Sequence, residues 1–238
     1  MSKLITSVFL LALISPLAQA ADPGTWQGNI ALALSRAAGN TESTTYSAAV
    51  DEVRATPENK ISAYLSALYG VSQGIKSADK ARLGSRYDHN LSTNIFGFGL
   101  LEFENDRLAN LNLRSGMGAG LGYYFIKETA HSFDVFSGLS YTQSDLILGA
   151  NTQGAEVLLG EESTHQLSDS VRLKQKLTAF PSVEKSGQFR SVFEGGLVVD
   201  LSSTMGLSVS LQNKHNSAVG LGLKKSDTVL LTGLNIKI

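Results

Sequence analysis

The 238-residue sequence contains no cysteine. That excludes a disulfide framework, a thiolate metal site and a thiol nucleophile. Proline is scarce, with only four residues in the chain. Neither charge dominates: the formal net charge is −1, with both signs spread along the chain. A nucleic-acid binder should carry a basic stripe, so no nucleic-acid partner is expected. Beyond residue 20, no apolar run approaches the roughly 18 residues of a membrane-spanning helix. No amphipathic helical pattern stands out in that region either.

Residues 1–20 form the one distinctly apolar segment. Lys3 supplies a positive start, Leu4 to Leu17 is a short apolar stretch, and Ala18-Gln19-Ala20 is an A-x-A cleavage pattern. The segment is short for a bilayer span, and Pro16 would end a helix there. It is expected to be a signal peptide removed on export. Residues 21–238 then form a single domain.

What fills that domain is alternation. In WQGNIALALS, residues 26–35, Trp26, Ile30, Leu32 and Leu34 share one parity, against Gln27, Asn29 and Ser35 on the other. In LNLRSGMGAGLGYYF, residues 111–125, Leu111, Leu113, Met117, Leu121, Tyr123 and Phe125 alternate with Asn112, Arg114 and a run of glycines. The stretch from Val171 to Phe180 sets Val171, Leu173 and Leu177 against Arg172, Lys174 and Lys176. A two-residue period gives an extended strand one apolar side and one polar side. The turns between runs fall into two alternating styles. One is tight, as in the Leu-Ser turns at 91, 167 and 201. The other is often longer, as at 36–43, 74–79, 145–152, 182–187 and 216–226, with Asn105-Asp106 a brief member.

Cutting there gives about twelve strands: 26–35, 44–55, 60–73, 80–91, 94–104, 108–126, 132–144, 153–166, 170–181, 188–201, 205–215 and 227–238. The eighth departs from the pattern, because Glu161 and His165 fall on its apolar parity; without it the count is eleven.

Two all-β readings compete. A soluble barrel or sandwich hides its apolar face inside, whereas a membrane barrel turns it to lipid and keeps a polar lumen. Four features favour the membrane. The polar parity carries charges, the turn styles alternate, and the last run, TVLLTGLNIKI, ends with the chain. In addition, aromatic residues sit near strand ends: Trp26, Tyr69, Tyr87, Tyr123, Phe125, Phe133, Tyr141, Phe180 and Phe189. Strand ends at the interface are where amphipathic rings gain most. The fold class read from the sequence is therefore an all-β, antiparallel up-and-down transmembrane β-barrel of about 12 strands. Its lumen-facing charged residues are expected to be Arg82, Arg86, Arg114, Arg172, Lys174, Lys176, Arg190 and Glu194.

Several local patterns support a resemblance. These are Trp26-x-Gly28 followed by Gly39-Asn40-Thr41, Gly120-Leu121-Gly122-Tyr123-Tyr124, and the Leu-Ser turns at 167 and 201. To them are added His215-Asn216-Ser217 and Asp227-Thr228 before the final strand. With these residues the chain resembles the YdiY-like family of salt-induced outer-membrane proteins, a family without settled molecular function. The resemblance covers essentially residues 21–238 and implies an outer-membrane barrel. One departure is Ile238, where such barrels usually end in an aromatic.

Gly116, Gly118, Gly120 and Gly122 recur at a strict spacing of two, which is neither G-x-G-x-x-G nor a phosphate loop. On a lumen face glycine makes room for bulky neighbours or bends the strand. Gly70-Val71-Ser72-Gln73-Gly74 matches G-x-S-x-G in letters, but a nucleophile elbow needs a helix after it. Asp88 with His89, and Asp134 with His131, lie an odd number of positions apart, so each pair points to opposite faces. The four histidines are scattered, with no metal-ligand spacing. No catalytic residue, metal or cofactor is expected.

Three functions remain. The first is a narrow passive channel for small solutes or ions, with a partly cationic lumen. The second is a non-conducting envelope barrel filled by salt bridges, and the third an outer-membrane hydrolase. Expected partners are outer-membrane lipid and the assembly machinery, through the last strand 227–238, with the barrel a monomer.

Overall fold

The computed structural model describes residues 24–37, 42–220 and 222–238. The signal segment expected over 1–20 lies outside the described residues, as does most of the first long turn.

The described chain is a single closed antiparallel barrel of twelve strands. In order they are β1 (Trp26–Ala37), β2 (Ser43–Ala55), β3 (Asn59–Ser72), β4 (Ile75–Asn90), β5 (Ile95–Asp106) and β6 (Leu111–Lys127). They continue with β7 (His131–Leu146), β8 (Thr152–Ser168), β9 (Val171–Pro181), β10 (Phe189–Asp200), β11 (Met205–Asn216) and β12 (Ser226–Lys237). Each strand pairs with its sequence neighbours, and β1 pairs with β12 to close the ring. Both ends of the described chain therefore lie at one rim, here the terminal rim. The opposite end is the far rim.

Alternation sets the two faces. Along β4, Leu83 and Tyr87 are exposed, while Arg86 and Asp88 are buried. Outward apolar residues recur round the ring, among them Leu32, Leu65, Leu101, Met117, Leu121, Leu139, Leu207 and Leu230. Trp26, Tyr87, Tyr123 and Phe125 lie outward near the terminal rim, and Tyr46, Tyr69 and Tyr141 outward near the far rim. An apolar band between two aromatic girdles, wrapped round a polar interior, is the pattern of a barrel that spans a membrane. The hydrophobic side that a soluble protein would bury is here the outer surface.

Two of the Leu-Ser turns, at 91 and 201, owe their shape to the serine. Ser92 accepts the backbone N–H of Ile95, and Ser202 that of Met205, each about 3 Å away. The side chain thus closes the turn that the backbone begins.

Some expectations are corrected. Residues 74–79 are not a long turn. Gln73 and Gly74 alone join β3 to β4, both at positive φ (50° and 76°), as a two-residue hairpin requires. Asn105-Asp106 is not a turn either: β5 runs through Asp106, and a short 3-10 helix at Arg107–Ala109 makes the connection. Asp106 accepts the N–H of Ala109 and so caps that helix. Phe180 does not belong to a girdle. It shares the parity of Arg172, Lys174 and Lys176 and is buried in the lumen.

Candidate functional site

The site is the lumen, and its geometry follows from counting strands. β4 and β10 stand six places apart in the ring in either direction, as do β5 and β11. Arg82 on β4 nevertheless donates from Nη1 to Glu194 Oε1 on β10 at 2.7 Å. Lys214 on β11 donates to Glu104 on β5. Both pairs cross the barrel along a diameter. Twelve strands at about 4.8 Å spacing and ~40° tilt would make a ring ~24 Å across. An extended arginine, a glutamate and their hydrogen bond reach little more than half of that. The opposed walls are therefore drawn together, and the ring is oval in section.

The crossing extends sideways. Tyr64 on β3 donates to Glu102 at 2.8 Å, and the Arg82 guanidinium lies over the Tyr64 ring. Gln212 on β11 donates to the same Glu194 oxygen at 2.8 Å, and Arg114 reaches Glu104 at 3.5 Å. Buried charges at these spacings hold one another in place, since an unpaired one would cost far more than it returns.

This septum divides the lumen into two unlike lobes. The lobe walled by β5 to β10 is filled. Phe96, Phe98, Phe136, Leu158 and Phe180 form a buried cluster inside the barrel. Arg86 is inserted among them, 4.3 Å from the Phe136 ring centroid and 4.8 Å from that of Phe98. Its Nε donates to Asp88 at 2.6 Å, with both side chains nearly inaccessible. Glycines make the space. A methyl group at Gly122 would fall on the Phe96 ring, and one at Gly160 on the Phe136 ring.

Nearer the far rim, Arg190 donates to Glu156 from both Nε and Nη2, at 2.8 to 3.3 Å, and stacks on Phe180. A cavity of about 220 Å³ opens there, lined by Arg114, Thr142, Glu156, Phe180 and Arg190 among others. A larger hollow of about 430 Å³, beside Arg54, Pro57 and Tyr87, flanks a turn of the terminal rim. It is remote from the septum.

The other lobe, walled by β12, β1, β2 and β3, has small or uncharged inward side chains over most of its length. They include Ala31, Ala33 and Ser35 on β1, Ser47 and Ala49 on β2, Ser62 and Ser66 on β3, and Val229, Leu231 and Gly233 on β12. Water access survives on this side. Asp51 points inward, opposite Tyr64 in the ladder, yet is exposed; Glu194, in the septum on β10, keeps 40% of its side-chain surface.

Each residue singled out from the sequence can now be located. Arg82, Arg114, Arg190 and Glu194 belong to the cross-barrel and far-rim ion pairs, and Arg86 to the aromatic cluster. Arg172 donates to Gln166 at 3.1 Å and approaches Asp200 at 4.0 Å. Lys174 and Lys176 have no ion pair within 4.0 Å among the described residues. Lys174 is exposed although it shares the inward parity, and both lysines bear electrostatically on Asp51. The structure also adds partners that sequence reasoning missed: Glu102, Glu104, Glu156, Lys214, and the inward phenylalanines. Their parity was a usable signal, but their pairing was not, because it depends on which strands face each other across the ring.

The enzyme patterns come apart. Ser72 ends β3, and a two-residue turn into β4 follows it. Asp88 is buried against Arg86, whereas His89 bonds to Asn59 on the other face. His131 meets His165 across β7 and β8, with 3.4 Å between their Nδ1 atoms, and Asp134 points to the opposite face. Among the described residues no group of three His, Cys, Asp or Glu could hold a metal.

A closed antiparallel barrel with an apolar belt outside and charge within has the architecture of an outer-membrane β-barrel protein. The chain belongs to the family described as a protein of unknown function, DUF481, whose pattern matches residues 30–238. Among solved structures it is similar to the COG4313 outer membrane channel from Pseudomonas putida F1. That likeness has 11% identity, covers 94% of this chain and 98% of that one, and has a TM-score of 0.50. The NanC porin gives 8% identity, 89% and 97% coverage, and a TM-score of 0.49. The translocator domain of the autotransporter NalP from Neisseria meningitidis gives 13%, 90% and 88%, and 0.47. At these identities the likeness is one of fold. No curated protein sequence matches the chain.

Proposed function

We propose that the protein is a narrow passive channel of a Gram-negative outer membrane. It is exported with a cleaved signal peptide and inserted as a monomer with its terminal rim toward the periplasm. The observation that carries this reading is the division of the lumen. Ion pairs and aromatics fill one lobe, while the lobe along β12–β1–β2–β3 is lined by small side chains and leaves Asp51 accessible. Twelve strands lie between the eight that side chains can fill and the sixteen that leave an open pore.

The permeant species are small solutes or ions. Every lumen arginine has a carboxylate or amide partner within hydrogen-bonding reach or close to it. Among the described residues Lys174 and Lys176 on β9 have no such ion pair, and they supply unpaired cationic charge to the lumen. A modest anion preference follows, offset by Asp51 and Glu194. The resemblance to salt-induced barrels adds the expectation that expression rises with external salt.

Single-channel recording of the refolded chain in a planar bilayer tests the reading. Discrete conductance steps are expected. The reversal potential in a salt gradient should shift toward cations in the Lys174→Glu/Lys176→Glu variant. A correctly folded barrel that stays silent would favour a non-conducting envelope barrel, a second reading supported by the two cross-barrel ion pairs.

A further inference from the structure

The β1–β12 junction differs from every other in the ring. Its ladder registers only Asn29–Leu32 against Leu234–Lys237, and a pair of backbone hydrogen bonds between Gly28 and Ile238 completes its terminal end. On the other side of β1, the ladder with β2 runs the whole of Trp26–Ala37. On the other side of β12, the ladder with β11 runs from Ser226 to Ile236. Among the described residues, 34–37 of β1 and 226–232 of β12 are therefore held in a ladder along one edge only; the seam stays closed as far as Gly233, where an added Cβ would fall on the Leu32 carbonyl oxygen. The shortfall lies entirely in the half of the junction toward the far rim.

In hydrocarbon an unpaired peptide edge is costly, and closed barrels exist because they avoid one. Edges left open here must be wetted from the lumen or covered by whatever passes between them. The side chains suit passage. On the inner side the split is bordered by the uncharged Ser35, Val229 and Leu231, with Asp227 at its rim end. On the outer side, Leu34 and Leu230 are 67% and 65% exposed, among the most accessible apolar residues of the belt. Behind the split lies the lobe with small side chains. The cross-barrel ion pairs stand away from it, between β4–β5 and β10–β11.

We propose that the split between β1 and β12 is a lateral portal. Through it the tail of a single-chain amphiphile passes between the lumen and the membrane leaflet at the far rim. The uncharged wall of Ala31, Ala33, Val229 and Leu231 takes the tail. Asp51, inward on β2 in the same lobe and exposed, takes the cationic part of a zwitterionic head. The proposal rests on the channel reading and adds to it the class of molecule carried and its side exit.

The absence of cysteine makes the test clean. Continued in register, the β1–β12 ladder would place Ser35 opposite Leu231, both on the inward parity. The Ser35→Cys/Leu231→Cys variant can therefore be locked by oxidation and released by reductant. The probe is a fluorescent lysophosphatidylcholine, and its transfer across phosphatidylcholine vesicles holding the full-length folded barrel is the readout. Wild type should speed transfer several-fold over empty vesicles. The oxidised variant should lose that gain, and reductant should restore it. Transfer that the lock leaves unchanged, or wild-type transfer no faster than empty vesicles, overturns the portal. Loss of conductance in wild type strikes the channel reading instead.

Hydrogen exchange gives an arm that needs no substitution. Those amides of residues 33–35 and 229–231 that point into the split should exchange orders of magnitude faster than the paired amides of Leu207–Leu211. Equal protection would mean the seam is shut, or covered by an added strand, and the proposal fails.

Discussion

Arg82 is the most heavily committed side chain in the lumen, with a carboxylate on the opposite wall, a second carboxylate at 3.7 Å and a tyrosine ring beneath it. Arg82→Met leaves Glu194 and Glu102 without their shared cation. Breaking a buried pair costs about 3–5 kcal/mol, and the partial exposure of Glu194 reduces that to ~1–3 kcal/mol. Urea unfolding in lipid should show the loss. The same variant should enlarge the conductance step, because the septum opens. Glycines give a second prediction. Gly122→Ala drives a methyl group into the Phe96 ring, whereas Gly116→Ala meets nothing nearer than Thr142 Oγ1 at 3.8 Å. The first should cost about 1–3 kcal/mol by overpacking and the second little, read by unfolding midpoints of the two variants. At this scale the two-residue period marked the face of most strand residues, Arg82, Arg114 and Arg190 among them, but Phe180, read as a girdle aromatic, lies in the lumen. The sequence did not show Glu104 or Lys214 as partners, since 110 residues separate them along the chain.

Strands were the most legible elements, because the two-residue period is written into nearly all of them. Even β8, where Glu161 and His165 break the pattern, is a full strand spanning Thr152–Ser168. β7 pairs with it from Thr152 to His165 and β9 from Leu159 to Ser168, and those ladders outweigh two polar residues on the outer face. Connections were less legible. Ser77 and Asp79 are polar enough to read as loop, yet β3–β4 pairing reaches nearly to Gln73-Gly74, with a single bulge at Gly70/Val71. Hydrogen bonding along a tall hairpin decides there, and polarity does not, because the hairpin stands at the far rim where water meets both faces. The face assignment itself is testable on β11. Val209 points outward and Ser210 inward. Val209→Arg should cost roughly 2–4 kcal/mol near the bilayer midplane, while Ser210→Arg should be much milder, measured by refolding into vesicles. Equal costs would invert inside and outside.

At the scale of the whole molecule, a barrel of about twelve strands was expected from the alternation and the turns. The oval section was not, because nothing local in the sequence says which walls meet. It arises when two ion pairs shorten one diameter. If the septum narrows the path, the double variant Arg82→Met/Glu104→Gln should conduct more than either single variant. Purely additive effects would mean that the two bridges narrow it independently.

The cross-barrel pairs carry one more consequence. Arg82 and Glu194 meet only because five strands lie between their own on each side. Removing the β6–β7 hairpin would leave three on one side and five on the other, and the two residues would no longer stand opposed. The same holds for Glu104 and Lys214. The interior charge pattern is thus a tally of strands, matched to a ring of twelve. Hairpins can be gained or lost in such a lineage only if the inside is rewritten at the same time.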